Sequence, residues 1–182
     1  MDATYNERKF TELILFVAER LRSDLSGGAT KLNKVLFFAE FIHVRRTGRP
    51  ISGAEFQKLE HGPAPRRLKP IRELLVSAGE AEVVRELYLG YTMARLLPLR
   101  TADTSSFTES EIESVEEALR DLDGLTAKQV SDLSHEEAGW RLVNAGDTIP
   151  YEAALVGAQQ VTTPTSLRLE EAVAPRLGLL AS

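Results

Sequence analysis

The sequence predicts an α+β fold, a mainly helical domain with a buried central helix and a small antiparallel β-sheet or hairpin. Three observations carry this. Segment 31–46 is apolar nearly all round, with Leu32, Val35, Leu36, Phe37, Phe38, Phe41 and Ile42, and a helix without a polar face belongs in an interior. Segments 6–23 and 108–122 are apolar on one side only, so they pack against it. Residues 82–98 alternate in polarity on either side of Gly90, the pattern of a hairpin. The sheet is built from 82–98, with 54–60 as a further strand, and should not exceed four strands.

The first helix, 6–23, places Phe10, Leu13, Ile14, Val17 and Leu21 on one stripe and stops at Gly27-Gly28. Thr30 is the expected cap of the central helix, which ends before Gly48. Lys31, Asn33, Lys34 and Glu40 break its apolar surface, so they must lie at exposed ends or meet specific partners. His61-Gly62-Pro63-Ala64-Pro65 reads as a rigid break, because each proline fixes its own φ and restricts the residue before it. A helix follows to Ala78, and Pro70 either kinks it or marks its true start.

Thr108 and Glu111 have capping-box spacing at the start of 108–122, and Phe107 is placed to staple onto Ile112. Thr126 and Gln129 repeat the box for a short helix to about Leu133. A third short helix is expected from Ser134, carrying Glu137, Trp140, Arg141 and Val143, with Ser134 as cap and Glu136 and Glu137 in its first turn. Pro150 opens a last helical turn. The organisation is then one domain, 1–160, and a C-terminal extension, 161–182, weakly structured or a short helix over Ser166–Val173 that Pro175 stops.

Composition excludes several chemistries. The 182 residues contain no cysteine, which removes disulfides, thiolate metal sites and a cysteine nucleophile. The longest apolar run, Val35–Ala39, is far below the ~20 residues of a membrane span. The N-terminus is polar, without a signal-peptide stretch, so a cytoplasmic protein is expected. No glycine-rich phosphate loop and no GxSxG elbow occurs. His135-Glu136-Glu137 has Gly139 where a helical zinc motif needs its second histidine. No metal, cofactor or catalytic residue is assigned. Trp140, the only tryptophan, reads as a core residue or an interface anchor.

The net charge of −5 is unevenly distributed. Residues 1–100 hold 17 Lys/Arg against 12 Asp/Glu, and residues 101–182 hold 5 against 15. Within 31–72 there are 10 basic and 3 acidic residues. Either the front half meets an acidic partner or the two halves dock on each other.

Three stretches together resemble one family. Lys31-Leu32-Asn33-Lys34-Val35-Leu36-Phe37-Phe38-Ala39 is similar to the lysine-leucine-x-lysine-leucine-leucine-tyrosine-phenylalanine-alanine helix of Panacea-domain proteins, the SocA-like antitoxins. Thr47-Gly48-Arg49-Pro50-Ile51, Phe56 and His61–Pro65 resemble that domain's next segment, and Ser134–Trp140 with Ile149-Pro150-Tyr151 its C-terminal motif. Two positions depart from the pattern: His61 replaces an aromatic residue and Phe37 a tyrosine. The resemblance implies a non-enzymatic antitoxin that binds a cognate toxin directly; some members deliver the toxin to the ClpXP protease. It marks Phe38, Glu136, Glu137 and Trp140 as motif residues. The candidate toxin contacts are Lys31, Lys34, His61, Gly62, Pro63, Arg66 and Arg67, gathered where the exposed start of the central helix and the proline-stiffened bend would share a surface.

Two other readings stay open at this level. A helix with Arg66, Arg67, Lys69 and Arg72 followed by a hairpin is similar to a DNA-binding winged helix, although the acidic balance argues against a nucleic-acid partner. A hydrolase would have to use His61 or His135.

Overall fold

The computed structural model describes residues 4–156. The expected extension 161–182, with its helix at 166–173, lies outside the described residues. Six α-helices and five strands follow in the order α1 (Glu7–Arg20), α2 (Ala29–Thr47), β1 (Phe56–Leu59), β2 (Gly62–Pro65), α3 (Leu68–Ser77), β3 (Ala81–Tyr88), β4 (Tyr91–Pro98), α4 (Glu109–Asp121), α5 (Ala127–Glu136), α6 (Ala138–Leu142) and β5 (Thr148–Ile149). Two 3₁₀ turns, Thr104–Ser106 and Tyr151–Leu155, complete the described chain. The mainly helical α+β architecture is the one the sequence predicts.

Helix α2 is the axis. Leu36 is fully buried and Phe38 is 7% exposed, and α1, α4, α5, β2, β4 and the last 3₁₀ turn all pack on it. Its rings extend into an aromatic cluster, with centroids 4.2 Å apart for Phe37–Phe41, 5.5 Å for Phe37–Phe56 and 5.2 Å for Phe41–Tyr151. Phe37, where the family pattern has a tyrosine, is fully buried against the rings of Phe38, Phe41 and Phe56. The helix starts earlier than expected: its N-cap is Gly28, not Thr30, and no side chain caps it. A Cβ at Gly28 would press on the Met93 side chain of β4, which would have to shift. Gly48, at φ +75°, closes the other end.

Both capping boxes form as the sequence predicts, at Thr108/Glu111 and Thr126/Gln129. Asn6 caps α1 by accepting from Lys9 N at 3.0 Å. Pro70 lies in the first turn of α3, where backbone N–H groups have no helical partner and its lack of one costs nothing.

Four expectations are corrected. Strand β1 does not join the 82–98 hairpin: the sheets are separate, ordered β2-β1-β5 and β3-β4, and β5 makes a fifth strand. The bend at 61–65 is strand β2, with Phe56 opposite Pro65 and Lys58 opposite Pro63; β2 is an edge strand, and only there can prolines sit without losing ladder hydrogen bonds. Ser134 caps nothing, because α5 runs on through it to Glu136 and its hydroxyl donates back to Ser131 O at 2.7 Å. Glu136 and Glu137 therefore end α5 and precede α6, rather than occupying a first turn.

The charge asymmetry resolves as docking of one half on the other. Lys9 pairs with Glu111 at 2.7 Å, Arg8 with Asp103 at 3.1 Å and Arg20 with Glu116 at 2.9 Å. Arg45 pairs with Glu137, and Arg46 with Glu117 and Glu113. Much of the positive charge of the front half is matched inside the molecule.

Candidate partner-binding site

The three stretches that carry the family pattern converge on one node. Helix α2 supplies Lys34, the β1–β2 hairpin supplies Lys58, Leu59, Gly62 and Pro63, and the end of α5 with α6 supplies Ser134, His135 and Trp140. Lys34, 2% exposed, donates from Nζ to the carbonyl oxygen of Pro63 at 3.0 Å. With no carboxylate at that bond, burial pulls its ammonium down to about 8. Gly62 sits directly over this contact at φ +93°, and a Cβ there would fall on Ser134 Oγ and 2.8 Å from Lys34 Cε. Only glycine fits, for conformation and for space.

Trp140 covers the outer side of the node. Its Nε1 donates to Leu59 O at 3.2 Å, its ring stacks on His135 at 4.0 Å, and Lys58 Nζ lies 4.2 Å above it. The Lys58 ammonium also donates to Val143 O at 2.9 Å. Trp140 therefore staples α6 to β1, with an exposed edge remaining. The His135 imidazole is held below its ordinary value, first by burial and then by the Lys34 charge.

Two further buried charges brace the same region. Lys31, 1% exposed, pairs with Asp24 at 2.5 Å and donates to Leu125 O at 3.1 Å, so it ties α2 to the loops on either side. Glu40, fully buried, accepts from Ile51 N at 2.7 Å and from Ser52 N and Oγ. It thereby holds the Thr-Gly-x-Pro-Ile turn that leads into β1. Burial pushes its carboxyl up to about 7, against the pull of those donors.

The candidate contacts separate accordingly. Lys31 and Lys34 are not at an exposed helix start; both are interior, because α2 begins two residues earlier and loops close over it. Gly62 and Pro63 are buried as well. The structure does bring Lys34, Gly62 and Pro63 together, as a structural joint. Arg66 and Arg67 are exposed but engaged: Arg66 donates to Gly146 O at 2.7 Å and Gln57 Oε1 at 3.0 Å, and Arg67 lies 3.9 Å from Glu7. His61, at the tip of the β1–β2 turn, projects into solvent. Among the motif residues, Phe38 is buried, Glu137 pairs with Arg45, and Glu136 is exposed. Sequence reasoning does not single out Lys58, Arg45 or Asp24. The only signal for them is the need of any buried or clustered charge for a partner.

Among the described residues no group of His, Asp and Glu is arranged to hold a metal ion, and no helix is long and apolar enough to cross a membrane. No curated protein and no solved structure matches the chain significantly. A family model described as the SocA-like antitoxin, Panacea domain, matches residues 32–141. That span covers more than half of the chain and includes Lys34, Gly62 and Trp140 of the node, and the protein therefore belongs to the SocA-like Panacea-domain antitoxin family.

Proposed function

We propose that this protein neutralises a cognate toxin by binding it directly, one binding surface to one toxin, without catalytic turnover. The observation that carries the reading is the family match across 32–141, whose segments form the joint at Lys34, Gly62 and Trp140. A rigid joint of this kind suits a binding module, because a surface already ordered loses little entropy on association. Delivery of the bound toxin to ClpXP is the finer form of the same function. Its basis is the resemblance to a family of which some members deliver their toxin to that protease.

The test is co-expression with the small protein encoded by the adjacent reading frame, followed by titration of the purified pair. Growth arrest by that protein alone, relieved by this chain, is the expected result. Neutralisation should be complete near one equivalent with no protease present. Relief by a small fraction of an equivalent would show turnover, and no relief would remove the antitoxin reading for this pair.

A further inference from the structure

The two sheets end on four strands, β2 and β5 in one and β3 and β4 in the other. A strand at a sheet edge presents unpaired N–H and C=O groups, a template for pairing with another chain. Among the described residues three of these edges are protected. β2 carries Pro63 and Pro65, β5 is two residues long, and β4 lies against α1 and α2. β3 has no such protection. It runs eight residues without proline, glycine or bulge, in unbroken register from Ala81 opposite Pro98 to Tyr88 opposite Tyr91. Between Glu82 and Leu87 every side chain is exposed except half-buried Val84.

The turn fixes which groups face outward. With φ +48° at Leu89 and +84° at Gly90, it closes on Tyr88 and Tyr91 as a hydrogen-bonded pair. Such pairs alternate along an antiparallel ladder, so Glu86, Val84 and Glu82 also bond to β4, while the main chain of Leu87, Arg85 and Val83 points away from it. Among the described residues nothing pairs with that outward main chain, and Arg85 makes no ion pair. The side chains of these three residues share one face, a row that reads apolar, cationic, apolar. A second copy of the chain is a poor occupant. Antiparallel pairing of β3 with itself must set outward residues against outward residues. The two registers of longest overlap then place Glu82 opposite Glu86, or Arg85 opposite Arg85, and like charges directly opposite are destabilising.

We propose that the open edge of β3 takes an extended segment of the toxin as a third, antiparallel strand, with an acidic side chain opposite Arg85 and apolar side chains opposite Val83 and Leu87. This rests on the direct-binding reading and adds the chemistry of the toxin's contact segment. Main-chain bonds to the three outward residues supply affinity, and the row of side chains supplies the choice of sequence. Charge closes the edge to the protein's own copies and leaves it open to a complementary strand.

The test adds fluorescein-labelled peptides to the full chain: threonine heptapeptides with valine, glutamate and valine at the second, fourth and sixth positions. One analogue has lysine for glutamate. Another is N-methylated at the valine and glutamate amides, which removes the donors and keeps the side chains. The glutamate peptide should bind at least about five-fold more tightly than either analogue. Its binding should slow amide exchange at Val83, Arg85 and Leu87 far more than at Glu82, Val84 and Glu86, which already bond to β4. Arg85→Glu should turn the preference to the lysine peptide with the melting temperature unchanged, because that side chain is exposed and unpaired. In co-expression with the toxin, Arg85→Glu and Val83→Pro should both lose relief, since proline on an edge strand removes only an outward amide. Equal binding of the three peptides, or protection without the alternation, would overturn the proposal. So would slow exchange at the three amides in the free chain: independent of concentration, it would mean that the chain's own residues cover the edge, and growing with concentration, that a second copy does. Relief retained in both variants would overturn this inference and leave the antitoxin reading standing, whereas no relief by the unaltered chain would overturn both.

Discussion

Lys34 Nζ meets the carbonyl oxygen of Pro63 across 29 positions of sequence, and Gly62 leaves the space in which they meet. A buried ammonium bonded to a neutral carbonyl is held by geometry rather than by charge pairing. Lys34→Met keeps the stem and removes the charge, so it should cost little, within about 1.5 kcal/mol. Lys34→Glu puts a carboxylate against a carbonyl and should cost about 3–5 kcal/mol. Urea unfolding of the two variants checks this. A reversal that left the midpoint unchanged would mean that Lys34 is not interior.

Gly62→Ala meets a positive φ and a collision at once. The expected loss is about 2–4 kcal/mol, read as a lower denaturant midpoint. Combining it with Ser134→Gly removes the nearest obstacle but not the backbone strain. The pair should then recover part of the loss, a coupling that a double-mutant cycle measures.

Glu40 gives stability a specific pH dependence. Its carboxyl has an ordinary value of 4.5 and lies at about 7 in the fold. Between those values the native state holds more protons than the unfolded chain, so this group lowers stability as pH rises through the window, and by a constant amount above it. The full effect is on the order of 3 kcal/mol. Glu40→Gln cannot ionise, so its melting temperature should lack this slope. Subtracting the two curves isolates Glu40 from His43 and His135, which titrate in the same range.

Trp140 reports on His135. The stacked rings are 4.0 Å apart, and an imidazolium at that distance quenches indole emission. Burial and Lys34 disfavour the charged imidazole, so the quenching midpoint should fall below 6.5. Protonation there costs native stability as pH drops through the window. Trp140 is the only tryptophan, so the signal needs no deconvolution, and His135→Gln should abolish it.

Glu111 serves two ends. It completes the capping box of α4 by accepting from Thr108 N at 2.8 Å, and it pairs with Lys9 at 2.7 Å. Glu111→Ala should cost about 2 kcal/mol by denaturant midpoint, since a cap and a mostly buried pair are lost together. The exposed Arg46→Ala should cost under about 1 kcal/mol.

Much of this fold is written locally. The all-round apolarity of 31–46, the two capping boxes and the alternation of 82–98 each reflect contacts within a few residues, and each forms where the sequence places it. What escapes is what depends on distant partners. His61–Pro65 contains two prolines and reads as a break; it becomes a strand only because β1 pairs with one edge of it and no strand pairs with the other. Lys31 and Lys34 read as surface charges until Leu125 and Pro63 arrive as acceptors from 94 and 29 positions away. Most candidate contacts are motif residues, and motif residues here are mostly those that hold the joint. The exposed Leu87, Leu89 and Tyr91 belong to no motif, and in the sequence they look like ordinary hairpin residues.

The front-half cations that pair with the back half precede their carboxylates by 67 to 102 positions, from Arg46–Glu113 to Lys9–Glu111. A ribosome therefore releases α2 long before the helix that covers its flank. Until α4 emerges, the nascent chain carries five surplus positive charges over residues 1–100 and a bare apolar side on its central helix, a state that chaperones and proteases recognise. The domain therefore closes late in synthesis. Chains truncated before α4 would keep that side open to proteolysis, so the protein that accumulates would be the closed domain.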